Sequence, residues 1–284
     1  MSHLCKSKKL FFPAAFLLMF FCGCGGDDPA AVSEELNISQ VLKSAWRQFS
    51  IKDTESSIQN FTHVLNDENA RADKKVQALY GLGLSYKFAA PKPDLEMSRE
   101  YFNSILQEYP DDDSVPWVML ELGNIAAKTG ERTKARSLYQ RVISEKKNTD
   151  AADEAVLRLA QVYFTDYDSD EDYKGVDILK QYLEEKPDNP LARVMLFRVV
   201  YRLGETYQKY MESLPYAERL GEMKMFDPFR WGQQFWYLGQ VYRLIAGNEE
   251  RAAYWYQKIL DECEFDQRRY SSRQMLEKIR EDSE

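Results

Sequence analysis

Apolar residues recur three and four positions apart along most of this chain, and the pattern is most regular over residues 115–149. Residues at this spacing lie on one face of an α-helix. Two such sets flank the dipeptide Thr129-Gly130: Met119, Leu122 and Ala126 before it, and Ala135, Tyr139 and Val142 after it. The pattern predicts two short helices that pack against each other across a turn.

Small residues at regular intervals repeat this arrangement. Gly123 allows the two predicted backbones to approach closely, Ala135 follows twelve residues later, and Tyr139 supplies a large side chain beside them. Equivalent small residues lie 35 to 44 positions apart, at Ala45, Gly83, Gly123, Ala160, Gly204 and Gly239. We therefore predict six helix pairs, with the second helix of the fifth pair poorly defined around residues 223–227.

This pattern resembles the tetratricopeptide repeat, which has a small residue near its eighth position, Ala near its twentieth and an aromatic residue near its twenty-fourth. The resemblance implies an all-α, right-handed α-solenoid of about six helix pairs over residues 37–266, because each pair buries one face only by stacking on the next. Residues 267–284 are mostly charged, and we expect them to form a helix that caps the last pair.

A different kind of segment precedes the repeats. Three lysines are followed by an apolar run over residues 10–21 and then by Gly23-Cys24. The run is too short to span a bilayer as a helix but suits a secretory signal. It resembles a bacterial lipoprotein signal, which implies removal of residues 1–23, lipidation of Cys24 and a flexible tether over residues 24–36.

One residue departs from that signal: Phe21 stands where Leu is usual. The alternative is an ordinary signal peptide that is cleaved nearby. Cysteine usage agrees with the lipoprotein interpretation, since Cys5 and Cys22 would leave with the signal and Cys24 would carry the lipid. Cys263 would then be the only thiol of the mature chain, so no intramolecular disulfide is expected.

The charge balance argues against nucleic acid as a partner. The chain carries 38 basic and 46 acidic residues, a net charge of −8, and loss of the three signal lysines leaves 35 against 46, or −11. No Lys/Arg-rich block compensates, so nucleic acid and anionic lipid surfaces would not be attracted electrostatically. Membrane attachment would come from the lipid alone.

Few residues suggest catalysis. His63 is the single histidine of the expected mature chain, and Gly81-Leu82-Gly83 belongs to the helix-packing pattern rather than to a phosphate-binding loop. No nucleophile motif of the G-x-S-x-G kind is present. We expect neither enzymatic activity nor a cofactor.

One acidic stretch has the spacing of a calcium loop of the EF-hand type, with carboxylates at Asp166, Asp168, Asp170 and Asp177. Glu171 occupies the place where that loop needs Gly for its sharp turn. An acidic turn over residues 166–172 without metal is therefore the favoured interpretation, and calcium binding is the weaker alternative.

The partner-binding surface follows from the resemblance. In tetratricopeptide-repeat proteins, first-helix residues at roughly the second, fifth, ninth and twelfth positions line the concave groove. Applied to this chain, the rule implies Tyr80, Leu84, Lys87, Trp117, Leu120, Asn124, Leu157, Gln161, Phe164, Trp236, Gln240 and Arg243. Aromatic residues interleaved with amides can bury peptide side chains and hydrogen-bond a peptide backbone. For each residue, packing between adjacent repeats is the alternative.

Together these patterns favour a non-catalytic, lipid-anchored scaffold or adaptor of a bacterial cell envelope, with a protein or peptide partner in the groove. It resembles envelope lipoproteins such as the barrel-assembly helical lipoprotein and the cell-division or peptidoglycan coordinators. Gly25 rather than Asp follows the proposed lipidated cysteine, which favours the outer membrane facing the periplasm. The alternative is a lipoprotein of an import system that binds a glycan or peptide, with Tyr80, Trp117 and Trp236 stacking on sugar rings.

Overall fold

The computed structural model describes residues 29–89, 92–147, 149–164, 169–224 and 227–282. These residues form thirteen α-helices and, among themselves, no β-strand. In chain order the helices are α1 (Pro29–Ser50), α2 (Thr54–Asn66), α3 (Ala72–Lys87), α4 (Leu95–Glu108), α5 (Val115–Lys128), α6 (Arg132–Glu145), α7 (Asp150–Phe164), α8 (Ser169–Glu185), α9 (Ala192–Val200), α10 (Tyr210–Met223), α11 (Trp231–Leu244), α12 (Glu249–Glu262) and α13 (Arg268–Asp282).

Consecutive helices pair into six units, numbered here from unit 1 (α1 and α2) to unit 6 (α11 and α12). Each helix packs mainly against the helices before and after it in the chain, as expected of an α-solenoid. First helices also contact one another directly, α1 with α3 and α5 with α7, whereas no two second helices of the described chain do so to the same extent. At these two junctions the first helices are the more closely spaced row, and we term the row of first helices the inner row.

The turns within most units contain a residue with a positive φ angle. A residue in the left-handed region follows the end of the first helix in units 1, 3, 5 and 6, and these residues are Lys52 (φ 64°), Gly130 (φ 84°), Gln208 (φ 56°) and Gly247 (φ 63°). A left-handed residue of this kind terminates a helix and reverses the chain. Asx side chains then start several second helices: Asp53 accepts from the Ser56 amide at 3.3 Å and Asn248 from the Arg251 amide at 2.9 Å.

The core is a row of apolar clusters, one at each place where units meet. In most units it is centred on a large side chain four residues after the small residue of the second helix, which we term the plug residue. The plug positions of units 1 to 6 are Phe61, Phe102, Tyr139, Leu179, Gly221 and Tyr256. All except Gly221 are buried large side chains.

Close contact with the plug explains the glycines of the first helices. A Cβ atom on Gly83 would lie 2.6 Å from a ring carbon of Phe102, and one on Gly123 would lie 2.6 Å from a ring carbon of Tyr139. Such distances are too short for real side chains, so only glycine allows the ring to lie against the backbone. The small-residue pattern of the sequence is thus a packing requirement of units 2 and 3.

Unit 5 departs from this plan. Its first helix, α9, continues into a π-helical turn over residues 201–206, and its plug position is occupied by Gly221. Rings of unit 6 fill the space instead: Tyr237 of α11 lies against Gly204, and Trp255 of α12 lies 2.7 Å from where a Cβ of Gly221 would be. The second helix of this unit runs from Tyr210 to Met223 and contains Pro215; of the stretch 223–227, expected to be poorly defined, residues 225 and 226 lie outside the described residues.

The ends of the solenoid agree only in part with expectation. The capping helix is confirmed as α13, which contacts α12 and α11 and buries Ile279 against the last unit. At the other end, α1 begins at Pro29, so residues 29–36, expected to belong to a flexible tether, are helical. Proline is well tolerated in the first turn of a helix, which accounts for a start at that residue. Residues 1–23 and Cys24 lie outside the described residues.

No helix in the described part of the chain is both long and apolar enough to cross a bilayer.

Candidate functional site

The candidate surface is the first-helix face, meaning the side of α3, α5, α7 and α11 on which the predicted groove residues lie, together with the equivalent side of α9. Three of the twelve predicted residues are buried: Leu120 is 3% exposed, Phe164 6% and Leu157 8%. Their side chains belong to the clusters between units, so packing between repeats is what the structure shows for them. The other nine are partly exposed: Tyr80, Leu84, Lys87, Trp117, Asn124, Gln161, Trp236, Gln240 and Arg243.

Aromatic residues of this face rest on the plug rings. Tyr80 makes an edge contact with Phe102 at a centroid distance of 5.5 Å, and Trp236 lies 5.3 Å from Tyr256. Burial, with a smaller contribution from nearby Glu121, raises the pKa of the Tyr80 phenol. One side of each ring therefore packs on its own unit, and the opposite side is what a partner could contact.

Amide residues of this face form hydrogen bonds with plug tyrosines. The Tyr139 hydroxyl donates to Asn124 Oδ1 at 2.8 Å, and Gln240 Nε2 donates to the Tyr256 hydroxyl at 3.0 Å. Burial raises the pKa of Tyr256 to about 12, so this phenol is neutral and able to hydrogen-bond at physiological pH. Both amides keep one polar atom beyond the bond to the ring, and in Asn124 that atom donates to Glu121 at 3.3 Å. The orientation of these amides is therefore set within the unit.

Longer polar side chains join one first helix to the next. Lys87 of α3 forms an ion pair with Glu121 of α5, in which both side chains are largely buried. Arg243 of α11 donates to the Met275 sulfur of α13 at 2.9 Å. Such bonds hold adjacent units in register along the inner row.

Unit 5 contributes surface residues that the sequence analysis did not assign. With Gly204 as the eighth position, the groove rule places Arg198 second and Tyr201 fifth. Tyr201 is 52% exposed and stacks at 6.3 Å on Phe197, which is 40% exposed. The fifth-position rings Tyr80 and Trp236 have a plug ring beneath them, whereas Tyr201 has Gly221 at that position. Its exposure follows from the missing plug, and counting from Gly204 would have identified it.

Arg198 is electrostatically unusual. Its guanidinium donates to Gln161 Oε1 at 2.5 Å, and it makes no ion pair with any described residue. Burial, followed by the charges of Arg158 and Arg202, lowers the pKa of Arg198. Both neighbours have carboxylate partners: Arg158 pairs with Glu154 at 2.6 Å and Arg202 with Asp172 at 3.2 Å. Unit 5 therefore presents a half-buried positive charge that forms no ion pair with a described carboxylate, and Glu154, the carboxylate whose charge acts on it, is already paired with Arg158.

The described part of the acidic stretch, residues 169–177, is helical. Asp166 and Asp168 lie outside the described residues, but α8 already begins at Ser169, so Asp170 and Asp177 belong to one continuous helix. An EF-hand loop must wrap around the ion before its second helix begins. Asp177 instead is exposed and lies 3.9 Å from Lys180 one turn later. Within the described residues, no group of three His, Cys, Asp or Glu side chains could hold a metal ion.

Two of the six units match a known sequence family. Two segments, residues 77–112 and 117–149, match the family model of the tetratricopeptide repeat, and they correspond to units 2 and 3. No curated protein matches this chain in sequence.

Two solved structures are similar over most of the chain. A tetratricopeptide repeat protein from Parabacteroides merdae ATCC 43184 is 14% identical, with 85% of this chain and 98% of that chain covered and a TM-score of 0.49. BtubC (BKLC) from P. vanneervenii is 14% identical, with 81% and 90% covered and a TM-score of 0.47. Units 2 and 3 thus match the tetratricopeptide repeat in sequence, and the described chain is an all-α solenoid.

Proposed function

We propose that this protein is a non-catalytic scaffold that binds a protein or peptide partner on its first-helix face and is held at a bacterial envelope membrane by a lipid on Cys24. The observation that carries the proposal is the inner row of first helices, on which nine of the predicted residues stay partly exposed and four of them, Tyr80, Asn124, Trp236 and Gln240, are held by plug residues. Tetratricopeptide repeats typically bind other proteins through such a surface.

Preorganisation of the face favours binding over catalysis. Tyr80 and Trp236 already rest on plug rings, and Asn124 and Gln240 are already oriented by tyrosine hydroxyls. A partner that docks there need not order these side chains, which lowers the free-energy cost of binding. The same rigid row offers aromatic contact area together with hydrogen-bonding groups, the combination on which strong interfaces rely.

The test of partner binding uses the full-length protein, tagged at its C-terminus and captured from cross-linked host cells. Trp117→Ala removes a partly exposed ring of the face, and Arg141→Ala on α6, an exposed position of a second helix, is the matched control. We expect a specific protein to be captured with wild type and with Arg141→Ala and to be at least tenfold depleted with Trp117→Ala. Equal capture by all three, with equal thermal melting, would exclude the face as the binding surface, and binding of oligosaccharide alone would favour the import-system alternative.

The anchor rests on the sequence and has its own test. Cys24 lies five residues before the start of α1, and five residues span at most about 18 Å, so a lipid there would hold unit 1 close to the membrane surface. We expect radioactive palmitate to label the wild-type protein and not Cys24→Ser, and the labelled protein to fractionate with outer membranes. Equal labelling of the two proteins would refute the anchor and leave the scaffold proposal standing.

A further inference from the structure

The unbalanced arginine of unit 5 lies beside the exposed ring pair of the same helix. Phe197 lies on α9, Tyr201 begins the π-helical turn one turn later, and Arg198 directly follows Phe197. On the neighbouring helix α7, Arg158 is half exposed and is paired with the partly exposed Glu154. Two guanidinium groups therefore share a single carboxylate at this place, next to an exposed apolar surface.

The charge of this patch is opposite in sign to the net charge of the molecule. The chain carries a net charge of −8, yet this patch has an excess positive charge that is partly withdrawn from water. A half-buried guanidinium is stabilised when it donates hydrogen bonds to a carboxylate, and such charge-assisted bonds are stronger than the bond to the neutral amide of Gln161. A carboxylate from outside the chain would supply what the described residues do not.

The local backbone gives independent support. Tyr201 begins the π-helical turn, in which the Tyr207 amide donates to the Arg202 carbonyl, five residues earlier, at 3.0 Å. This π-helical turn ends the first helix of unit 5, and its wider spacing changes the direction in which the side chains that follow Val200 project. Here the turn falls at the ring that lacks a plug beneath it.

We propose that Arg158, Phe197, Arg198 and Tyr201 form a docking site for an acidic segment of a partner protein, in which an Asp or Glu side chain stands next to an aromatic residue. The carboxylate accepts hydrogen bonds from Arg198 and Arg158, and the neighbouring ring packs on Phe197 and Tyr201. The proposal deepens the proposed scaffold function and rests on it. Nucleic acid offers phosphate in place of carboxylate, but it carries a negative charge at every nucleotide, and the strongly acidic remainder of the chain repels that extended charge more than the one or two carboxylates of a short segment.

The test measures fluorescence anisotropy of labelled peptides with the purified full-length protein. The probe is Gly-Ser-Phe-Glu-Glu-Phe-Ser-Gly with blocked ends, and the comparison peptides replace both Glu by Gln or both Phe by Ala. A single-stranded oligothymidylate is a further probe. We expect the acidic aromatic peptide to bind about tenfold more tightly than either comparison peptide, because the Gln peptide loses the charge-assisted bonds and the Ala peptide loses the ring contacts. Its affinity should fall as salt is added.

Variants separate the two halves of the site. Arg198→Gln should weaken binding of the acidic peptide about tenfold and flatten its salt dependence, whereas Arg141→Gln, an exposed arginine of α6, should change neither. Tyr201→Ser should weaken binding without altering the salt dependence, and Tyr270→Ser, which replaces an exposed tyrosine of α13, is its control.

Equal binding of the Glu and Gln peptides, no detectable binding of the acidic peptide, tighter binding of the oligonucleotide, or equal effects of Arg198→Gln and Arg141→Gln would each overturn the site. These outcomes are distinguishable from failure of the scaffold proposal. If Trp117→Ala loses a specific partner while no peptide binds at unit 5, only the acidic docking site fails. If the peptide binds as expected but no partner depends on the first-helix face, only the broader scaffold function fails.

Discussion

In unit 3 the ring that closes the core comes from the unit itself, whereas in unit 5 the rings come from unit 6. Tyr139 lies against Gly123 within one helix pair, but Gly221 occupies the plug position of unit 5, and Tyr237 and Trp255 reach in from the next pair. Repeat proteins are described as stacks of units with intrinsic and interface contributions to stability. The comparison shows that these two contributions are divided differently along one chain.

The same difference separates the surfaces of the two units. In unit 3 the polar side chains of the inner row are paired, through Asn124 with Tyr139 and through Glu121 with Lys87. In unit 5 the missing plug leaves Tyr201 exposed, and Arg198 has no carboxylate. A departure from the packing pattern has thus produced the most distinctive chemical surface of the solenoid.

The largest expected effect is the loss of stability when the large ring of either unit is removed. Loss of a fully buried aromatic side chain typically costs about 3–5 kcal/mol, and we expect that loss for both Tyr139→Ala and Trp255→Ala in urea unfolding. Hydrogen exchange should differ: Tyr139→Ala should deprotect amides of α5 and α6, while Trp255→Ala should also deprotect α10 of the preceding unit. Unchanged protection of α10 in Trp255→Ala would contradict the role of that ring in unit 5.

Glycine substitutions test which atoms fill each space. Gly123→Ala should destabilise by about 1–3 kcal/mol, because the new methyl group meets ring carbons of Tyr139. Gly204→Ala meets the hydroxyl of Tyr237 first, and the adjacent ring carbon lies 3.2 Å away. Tyr237→Phe should therefore relieve much of the cost of Gly204→Ala, whereas Tyr139→Phe should not relieve Gly123→Ala. Urea unfolding of the variants in the two double-mutant cycles measures both coupling energies. Equal coupling energies would show that the Tyr237 hydroxyl is not the atom that Gly204→Ala meets first.

Acid titration tests the contact between units 2 and 3 at Glu131. Hydrogen bonds from Thr129 and then from Arg99 of unit 2 lower the pKa of Glu131 to about 2. A carboxyl whose folded pKa is depressed contributes stability above its unfolded pKa of about 4.3, and this contribution is lost as pH falls towards 2. Carboxyl NMR should show the low midpoint in wild type and in Arg141→Gln, and a higher midpoint in Arg99→Gln. A midpoint that Arg99→Gln leaves unchanged would exclude the link between units 2 and 3.

The smallest expected effect compares two ion pairs within helices. Arg158 pairs with Glu154 on α7, and Arg141 pairs with Glu145 at the same spacing on α6. Glu154→Gln and Glu145→Gln should each lower the free energy of unfolding by about 0.3–0.5 kcal/mol, as is usual for exposed pairs of this geometry. Only Glu154→Gln should change binding of the acidic peptide, which it should strengthen by freeing Arg158. Equal affinity in both variants would show that Glu154 does not compete for the site.

Much of the fold could be predicted because its determinants are local. The spacing of Gly123, Ala135 and Tyr139 encodes a helix pair, and six such spacings encode a solenoid whose contacts lie between neighbours in the chain. The start of α1 at Pro29 was not predicted, because a segment with Gly, Asp, Pro and Ser has the composition of a linker although its proline can open a helix.

The candidate surface was less predictable, because exposure depends on the partner ring of each residue. Position alone assigned Leu120, Leu157 and Phe164 to the groove, yet neighbouring units bury them. Position also would have reached Arg198 and Tyr201, but the irregular spacing of unit 5 obscured them. That Tyr237 and Trp255 complete this unit depends on contacts between units, which a pattern within one unit does not contain.

The shared rings also set where the array can be cut or lengthened. A copy of unit 3 would bring its own Tyr139, so duplication or excision there leaves the side chain that covers each remaining helical glycine in place. Excision of unit 6 alone would strip Gly204 and Gly221 of their neighbours, and a lone extra copy of unit 5 would have the same defect. Units 5 and 6 thus form a single packing unit. A designed truncation of this chain should end after unit 4 or retain units 5 and 6 together.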